Sequence, residues 1–320
     1  LSRLEGAFSL VGLAAGKMVG VRDPLGIRPL VLGDLEGAPI LTSETCALDI
    51  IGADFVRDIE PGEMVIVTDK GIETLFPFQK RKPRFCIFEY VYFARPDSSV
   101  EGRNVYTIRK KIGEELARES HVDADIVVPV PDSGVPAAIG YAQQAALPFE
   151  LGIIRNHYVG RTFIQPTDAI RHMGVRLKHN ANRSMIEGKR VILVDDSIVR
   201  GTTSQKIVQM VRDAGASEVH MRIASPPTTG ACFYGVDTPE TGKLLASRMT
   251  IAEMADFIKV DMLVSGECDL YKGSKLELLA RPPNEDSEAR DPPSWPTVLD
   301  AASSDNPSVL TFHRFSSNTS

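Results

Sequence analysis

Val191-Ile-Leu-Val-Asp-Asp-Ser-Ile-Val-Arg-Gly-Thr-Thr-Ser204 is the stretch of the sequence that decides the fold. Its first four residues are apolar and three of them are β-branched, which predicts a strand buried on both faces, as in a parallel sheet. Two carboxylates, Asp195 and Asp196, follow at the end of this strand. A helical pattern begins after Gly201, and Gly215 is placed where a helix of this length would end. The stretch therefore predicts a strand, a polar loop and a helix in direct succession.

The polar loop has the chemistry of an anion site. Ligands of open α/β sheets bind just beyond the carboxyl ends of the strands. Gly201, Thr202 and Thr203 open a helix there, so free N–H groups, hydroxyls and the positive end of the helix dipole suit a phosphate monoester. The paired aspartates suit vicinal sugar hydroxyls or Mg²⁺. An isolated Asp-Asp or Gly-Thr-Thr would indicate only a solvated turn with a helix cap, but the whole string is far more specific.

This stretch resembles the loop that binds phosphoribosyl diphosphate (PRPP) in type I phosphoribosyltransferases, in the version found in glutamine PRPP amidotransferases. The resemblance implies that Thr202 and Thr203 hold a 5′-phosphate and that the aspartates hold the ribose hydroxyls. It also implies Mg²⁺ as the cofactor, with Asp195 and Asp196 as the metal-binding residues. The substrate-binding residues that it places in this loop are Asp195, Asp196, Ser197, Arg200, Gly201, Thr202 and Thr203.

Bulk properties limit the class of protein. The 320 residues are 43% hydrophobic, which is enough for a large core and predicts two domains. A net charge of −6 argues against a general nucleic-acid binder. Charged residues interrupt every apolar run before it reaches membrane-spanning length, and no signal peptide is apparent. The four cysteines are far apart and form no CxxC pair, which fits a reducing cytoplasm rather than a disulfide framework.

The sequence predicts three regions: 1–83, 84–281 and 282–320. In the first, short apolar runs between turns predict strands with one helix; they are Ala7–Ala14, Met18–Arg22, Pro29–Leu32, Ile40–Ser43, Glu63–Thr68 and the helix Glu44–Ile51. The motif Arg22–Leu30 resembles one in the N-terminal-nucleophile (αββα) glutaminase domain of the same amidotransferases. We therefore expect region 1–83 to be the C-terminal part of such a domain, and the chain, which opens on Leu1, to be part of something longer.

The second region alternates strand and helix, which predicts a parallel sheet. After the basic linker Pro77–Pro83, the aromatic stretch Cys86–Ser98 is predicted to be a packed strand, and it also matches the family at the start of the transferase domain. The alternating elements that follow are Arg109–Glu119, Asp125–Val130, Pro136–Ala145, Phe149–Ile154, the central strand with its helix, and Glu218–Ala224. The alternation therefore predicts an α/β fold, and the resemblance implies that this region is a type I phosphoribosyltransferase domain. Region 282–320, rich in Pro, Ser, Asn and Asp, is predicted to be mostly disordered.

A second strand-to-helix junction lies at Val127–Pro136. Its Asp132, Ser133 and Gly134 can wrap backbone N–H groups around a pyrophosphate, although the segment alone would indicate only a proline-rich turn. Its position upstream of the Asp-Asp loop favours the binding role, so Asp132 and Ser133 are predicted to bind substrate. Members of the family often carry a hydroxyl residue at the position of Gly134.

The segment Arg155–Pro166 resembles the loop that closes over PRPP and helps to form an ammonia channel in these amidotransferases. A lid of this kind keeps a reactive sugar cation from water. The resemblance implies catalytic roles for Tyr158, Arg161 and Phe163, and places Arg155 near the diphosphate. From Arg171 to Arg190 the chain holds six Lys/Arg and one acidic residue, which indicates either a solvated face or a patch that attracts the substrate's negative charge.

The resemblance implies the amidotransferase reaction: PRPP and glutamine-derived ammonia give 5-phosphoribosylamine and pyrophosphate, the first step of de novo purine synthesis. It also implies a homo-oligomer and purine nucleotide inhibitors. The glutaminase half needs an N-terminal cysteine nucleophile that this chain lacks, so at best ammonia-dependent activity is expected. Cys86 and Cys232 match two of the four ligands of a [4Fe–4S] cluster that some members carry; four thiolates are needed, so no cluster is predicted. A salvage-type phosphoribosyltransferase and a PRPP-binding regulator without turnover are the alternatives.

Overall fold

A computed structural model describes residues 4, 6–158, 178–232, 234–236 and 238–266 of the protein. Over these residues an antiparallel β-rich region precedes an α/β region that is built on a parallel sheet. The predicted α/β fold with a parallel sheet is confirmed. The predicted tail, 282–320, lies outside the described residues, and the boundary between the first two regions stays a prediction. Within the part that the structure describes, no helix is long and apolar enough to cross a membrane.

The N-terminal region consists of two stacked antiparallel sheets and a helix. Its elements are β1 (Ser9–Ala14), β2 (Lys17–Arg22), β3 (Val31–Leu35), β4 (Ala38–Thr42), α1 (Thr45–Ile51), β5 (Asp54–Asp58), β6 (Met64–Thr68) and β7 (Gly71–Leu75). One sheet has the order β1-β2-β6-β7 and the other β4-β3-β5. Leu32 and Leu41 of one sheet pack against Val65 of the other, and α1 covers the outer face of the second sheet through Leu48. The five predicted strands and the helix are present, while β5 and β7 were not predicted.

The connection between the two regions contains a π-helical turn, Glu89–Phe93, followed by the short hairpin of β8 (Ser99–Val100) and β9 (Arg103–Asn104). The prediction of a strand over Cys86–Ser98 is therefore wrong. The rings of Phe88, Tyr92 and Phe93 contact one another, with centroids 5.4 to 6.1 Å apart. Neighbouring residues of a strand point to opposite faces, so Tyr92 and Phe93 could not meet in one.

The α/β region follows the predicted alternation. Its elements are α2 (Val105–Glu119), β10 (Ile126–Pro129), α3 (Val135–Ala145), β11 (Ile153–Arg155), β12 (His179–Ala181), α4 (Arg183–Ile186), β13 (Arg190–Asp195), α5 (Thr202–Asp213), β14 (Glu218–Ile223), 3₁₀ turns at Thr241–Lys243 and Leu245–Ser247, α6 (Ile251–Ile258) and β15 (Met262–Ser265). The sheet has the order β10-β13-β14-β15, and every pair in it is parallel.

The central strand β13 is buried on both faces, as the sequence predicts. Leu193 belongs to a core shared with α5 and α6, whereas Ile192 and Val194 face a second core with α2 and α3. Helices thus cover both faces of the sheet. The strand β15 was not predicted because the sequence after Phe257 departs from the family pattern, yet it pairs with β14 over four residues.

The order of the strands reverses between β10 and β13. After β10 the chain first returns to the sheet at Phe149, which forms a parallel β-bridge with Val127 of β10. This bridge lies on one side of β10, and β13 lies on the other. The predicted strand Phe149–Ile154 is therefore divided: Phe149 forms only this bridge, while Ile153 and Ile154 belong to β11, which pairs with β12 outside the main sheet. The carboxyl ends of β10 and β13 therefore form a topological switch point, the place where open α/β sheets bind their ligands.

Candidate active site

Two loops meet at this switch point. The first, residues 130–134, follows β10 and contains a cis peptide bond between Pro131 and Asp132. The second, residues 196–201, follows β13. The Ser133 hydroxyl donates a 2.6 Å hydrogen bond to Oδ1 of Asp196, and the Ser197 hydroxyl donates to Oδ2 of the same carboxylate at 2.7 Å. The structure therefore brings together the two junctions that the sequence singled out.

The two aspartates lie at the floor of this site, and both are 7% exposed. Oδ1 of Asp195 accepts a hydrogen bond from the backbone N–H of Asp196 at 2.9 Å. Burial first, and then the adjacent Asp196 carboxylate, raise the pKa of Asp195 well above its ordinary value. Two buried, adjacent carboxylates favour a ligand that stabilises them. A cation would compensate their charge, and hydroxyl groups would donate hydrogen bonds to them.

The helix α5 begins at this point, as the sequence predicts. Its cap is Gly201, in the left-handed conformation (φ 73°), and no side chain caps the first turn. A Cβ at Gly201 would lie 2.6 Å from Cδ2 of Leu245 and 3.2 Å from Cε1 of Phe257, so a side chain has no room. Thr202 and Thr203 are exposed in the first turn, and Arg200 is exposed beside them. Hydroxyls and backbone donors are therefore open to a ligand at this end of the helix.

The other loop is fixed in a similar way by close backbone packing. A Cβ on Gly134 would lie 2.4 Å from the Val194 carbonyl oxygen and 2.9 Å from that of Val130. Gly134 therefore offers backbone groups only, because a side chain has no space at this position. Asp132 is half exposed and forms an ion pair with Arg155 of β11. The structure thus joins two residues that were predicted separately to bind the substrate.

The predicted lid lies mostly beyond the part of the chain that is described. Arg161 and Phe163 fall outside the described residues. Tyr158 is the last described residue before them and is fully exposed. The basic run 171–190 is described only from residue 178. There Arg190 pairs with Asp123 and Asp125 at the amino ends of β13 and β10, opposite the end that carries the site. Arg190 therefore supports the fold and does not contact a ligand at the switch point.

One residue next to the site was missed from the sequence. Arg109 of α2 is 4% exposed and lines a small cavity together with Ser133, Asp196 and Val91. The sequence pattern could have indicated this, because Arg109 lies on the apolar face of α2 with Val105, Ile108 and Ile112. A charged residue in that pattern is buried and needs polar partners.

A comparison with known proteins agrees with this geometry. Residues 103–224 match the family model "Phosphoribosyl transferase domain". The chain is 60% identical over 269 residues to the amidophosphoribosyltransferase of Rhizobium etli, covering 82% of this chain and 54% of that protein. It is 49% identical over 263 residues to the amidophosphoribosyltransferase of Bacillus subtilis, covering 82% and 55%.

The chain is a homologue of part of the amidophosphoribosyltransferases. A solved structure supports this: the glutamine PRPP amidotransferase from B. subtilis complexed with ADP and GMP has a TM-score of 0.79, 45% identity, and coverage of 87% of this chain and 62% of that one. The predicted fold class is thereby confirmed over both regions, since the match covers most of the chain. The chain spans about half the length of the amidophosphoribosyltransferases that it matches.

Cys86 and Cys232 are buried free thiols, close enough to influence each other electrostatically. Burial raises the pKa of Cys86 to about 11 and that of Cys232 to about 12. Within the described residues no group of three or more potential metal ligands comes together. The fourth cysteine, Cys268, lies outside them, so the absence of an iron–sulfur cluster stays a prediction.

Proposed function

We propose that this chain carries the phosphoribosyl-transfer activity of an amidophosphoribosyltransferase. PRPP and ammonia would give 5-phosphoribosylamine and pyrophosphate, the first step of de novo purine nucleotide synthesis. The observation that carries the proposal is the contact between Ser133 and Asp196. It joins a candidate pyrophosphate loop to a candidate phosphate–ribose loop at the switch point of a phosphoribosyl transferase domain.

The site offers complementary groups for each part of PRPP. The first turn of α5 would bind the 5′-phosphate through Gly201, Thr202 and Thr203, with Ser197 and Arg200 beside it. Asp195 and Asp196 would hold the ribose hydroxyls. On the other loop, Asp132, Ser133 and the paired Arg155 would face the diphosphate.

The carboxylates also supply the electrostatic part of catalysis. Positive charge develops at the anomeric carbon as the pyrophosphate leaves, and Asp195 and Asp196 are already in place to stabilise it. The nucleophile would be ammonia, so the site needs no general base to activate it. Tyr158, Arg161 and Phe163 would belong to the segment that closes over the bound substrate and keeps water from the sugar cation.

Magnesium fits this arrangement. The two aspartates are the only protein ligands that we assign to it, and Mg²⁺ is commonly held by one or two carboxylates with water and substrate phosphates completing the shell. Burial and the adjacent Asp196 carboxylate raise the pKa of Asp195, and a bound cation would favour the charged form of this pair. When bound, the ion would neutralise the leaving diphosphate.

The remaining parts of the proposal concern the whole protein. Ammonia is the proposed nucleophile, and glutamine is proposed as its source from the resemblance. Homo-oligomers and inhibition by purine nucleotides are proposed from the resemblance. A cytoplasmic location is proposed because the three described cysteines are free thiols.

The test is pyrophosphate release from Mg²⁺–PRPP by the 320-residue chain. Ammonium chloride, glutamine and a mixture of purine bases are each supplied as the acceptor. Release with ammonium alone supports the proposal. Release with a purine base would favour a salvage-type transferase, and binding of PRPP without release would favour a regulator.

A further inference from the structure

We propose that Arg109 is a positioning residue that ties the turn between the two regions to the Ser133–Asp196 contact. Through this tie, the packing of the N-terminal region would set the geometry of the transferase site. The inference rests on the proposed function only in naming PRPP as the ligand. The element concerned is the π-helical turn Glu89–Phe93, hereafter the interdomain turn.

Arg109 holds the interdomain turn from the transferase side. Its Nε donates to the Tyr90 carbonyl oxygen at 2.6 Å, and its Nη2 donates to the Ala94 carbonyl oxygen at 2.8 Å. These two carbonyls lie near the two ends of the turn, so one planar guanidinium fixes its whole length. A lysine ammonium is a point charge and does not span two acceptors in this fixed geometry.

Arg28 holds the same turn from the N-terminal region. Its Nη1 lies 2.5 Å from Oε1 of Glu89, the first residue of the turn, and its guanidinium carbon lies 4.9 Å above the centre of the Phe93 ring, the last residue. The Glu89 side chain is buried and that of Arg28 is 32% exposed, so solvent screens this ion pair less than it would a pair on the surface. Arg109 and Arg28, which belong to different regions, therefore both contact the interdomain turn near its two ends.

The active-site side of Arg109 completes the connection. Arg109 lines the same cavity as Ser133 and Asp196, the two partners of the bond that joins the loops. Burial lowers the pKa of the Arg109 guanidinium, and the Asp196 carboxylate acts against this shift. A shift of the interdomain turn would move this guanidinium and would thereby change the electrostatic potential at the Asp196 carboxylate. π-helical turns often occur at functional sites, in keeping with such a role.

Arg109→Lys in the full 320-residue chain tests the inference, with Arg118→Lys as the matched control. Arg118 lies on the same helix but is exposed, where it pairs with Glu115 and Gln144. Hydrogen exchange of the peptides covering 130–136 and 195–201 is measured by mass spectrometry without ligand. We expect exchange in both peptides to be about threefold faster in Arg109→Lys and unchanged in Arg118→Lys.

Kinetics give the second readout. For Arg109→Lys the KM for PRPP is expected to rise on the order of tenfold with a smaller change in kcat, since the loops are misplaced but keep their chemical groups. If the exchange rises only around residues 88–95, Arg109 merely braces the turn and the inference is wrong. If Arg109→Lys does not fold, Arg28→Lys must raise exchange in the same two peptides, and unchanged exchange there overturns the inference.

The two proposals fail separately in this design. A wild-type chain that neither binds nor converts PRPP would defeat the proposed function. The exchange measurement would still decide the positioning role of Arg109, because it needs no ligand.

Discussion

The Ser133 hydroxyl donates a 2.6 Å hydrogen bond to the carboxylate of Asp196, a residue 63 positions further along the chain. This bond closes the gap between the loops that follow β10 and β13. It brings the ends of two strands together, so that the loop after β10 lies against the loop that carries Asp195 and Asp196 and leads into α5.

Removing this hydrogen bond should weaken the contact between the two loops but leave the Asp196 carboxylate in the site. In Ser133→Ala the Asp196 carboxylate keeps its Ser197 partner, so we expect the KM for PRPP to rise roughly tenfold, equivalent to the loss of a hydrogen bond to a charged group. Steady-state kinetics with ammonium as the acceptor measure it. Ser184→Ala is the control, because Ser184 is exposed and bonds only locally to Asn182. Equal KM values for the two variants would count against a role for Ser133.

The Asp195 carboxylate should lower the stability of the fold at neutral pH and raise the turnover of PRPP. Its pKa is raised by burial and by Asp196, so the folded state favours the protonated form, and this stabilisation is lost as pH rises through the folded pKa. At pH 7.5 without Mg²⁺, Asp195→Asn should therefore unfold at a midpoint temperature equal to or above that of the wild type. Its turnover of PRPP should fall on the order of a hundredfold, as expected when an electrostatic contribution to the transition state is lost. A lower midpoint together with full turnover would contradict the prediction.

Gly201 should tolerate no side chain. Gly201→Ala combines strain at a left-handed φ of 73° with a clash against Leu245 and Phe257, whereas Gly188→Ala carries the same φ with open space around it. We expect Gly188→Ala to cost about 1–2 kcal/mol, and Gly201→Ala to cost about 1–3 kcal/mol more because of overpacking. Urea unfolding measures both costs. Only Gly201→Ala should also weaken PRPP binding, and similar unfolding free energies would show that the cap has room to adjust.

The interface between the two regions should be pH-dependent. Burial raises the pKa of Glu89 to about 7, above the value of an unfolded glutamate, so the folded state binds the proton more tightly. The stabilisation is full below the unfolded pKa and is lost as pH rises through about 7. Between pH 5 and 8 the wild type should lose on the order of 1–3 kcal/mol of unfolding free energy that Glu89→Gln retains.

Urea unfolding of both proteins at pH 5 and 8 measures this difference. Asp58, whose pKa is raised to about 6, titrates in both proteins and cancels in the comparison. Parallel pH profiles for wild type and Glu89→Gln would show that Glu89 does not titrate in this range.

Much of the fold could be predicted because strong local patterns agreed with one another. The apolar run of β13, the amphipathic α5 and the loop between them specify their structure within one short segment. Weak patterns failed for identifiable reasons. The edge strands β5 and β7 are largely exposed and need little apolar alternation, while the aromatic residues at 88–93 favour a strand by composition but pack among themselves.

The candidate site was only partly predictable for the same reason. Asp195, Asp196 and Thr202 stand in one recognisable string, so the sequence identified them directly. The partnership of Asp132 with Arg155, and the place of Arg109 beside Asp196, depend on contacts between distant segments. Only the three-dimensional arrangement shows which of these polar side chains meet.

Calorimetric titration of the chain with PRPP in the presence of Mg²⁺ tests most directly whether the start of α5 binds a phosphate. Wild type and the double variant Thr202→Val, Thr203→Val are compared, with Thr107→Val, an exposed threonine in the first turn of α2, as the control. We predict saturable binding by wild type and control, and affinity weaker by about a hundredfold or more in the double variant, because two hydroxyl contacts to a charged phosphate are lost. Equal affinity in all three proteins would contradict a phosphate site at the start of α5.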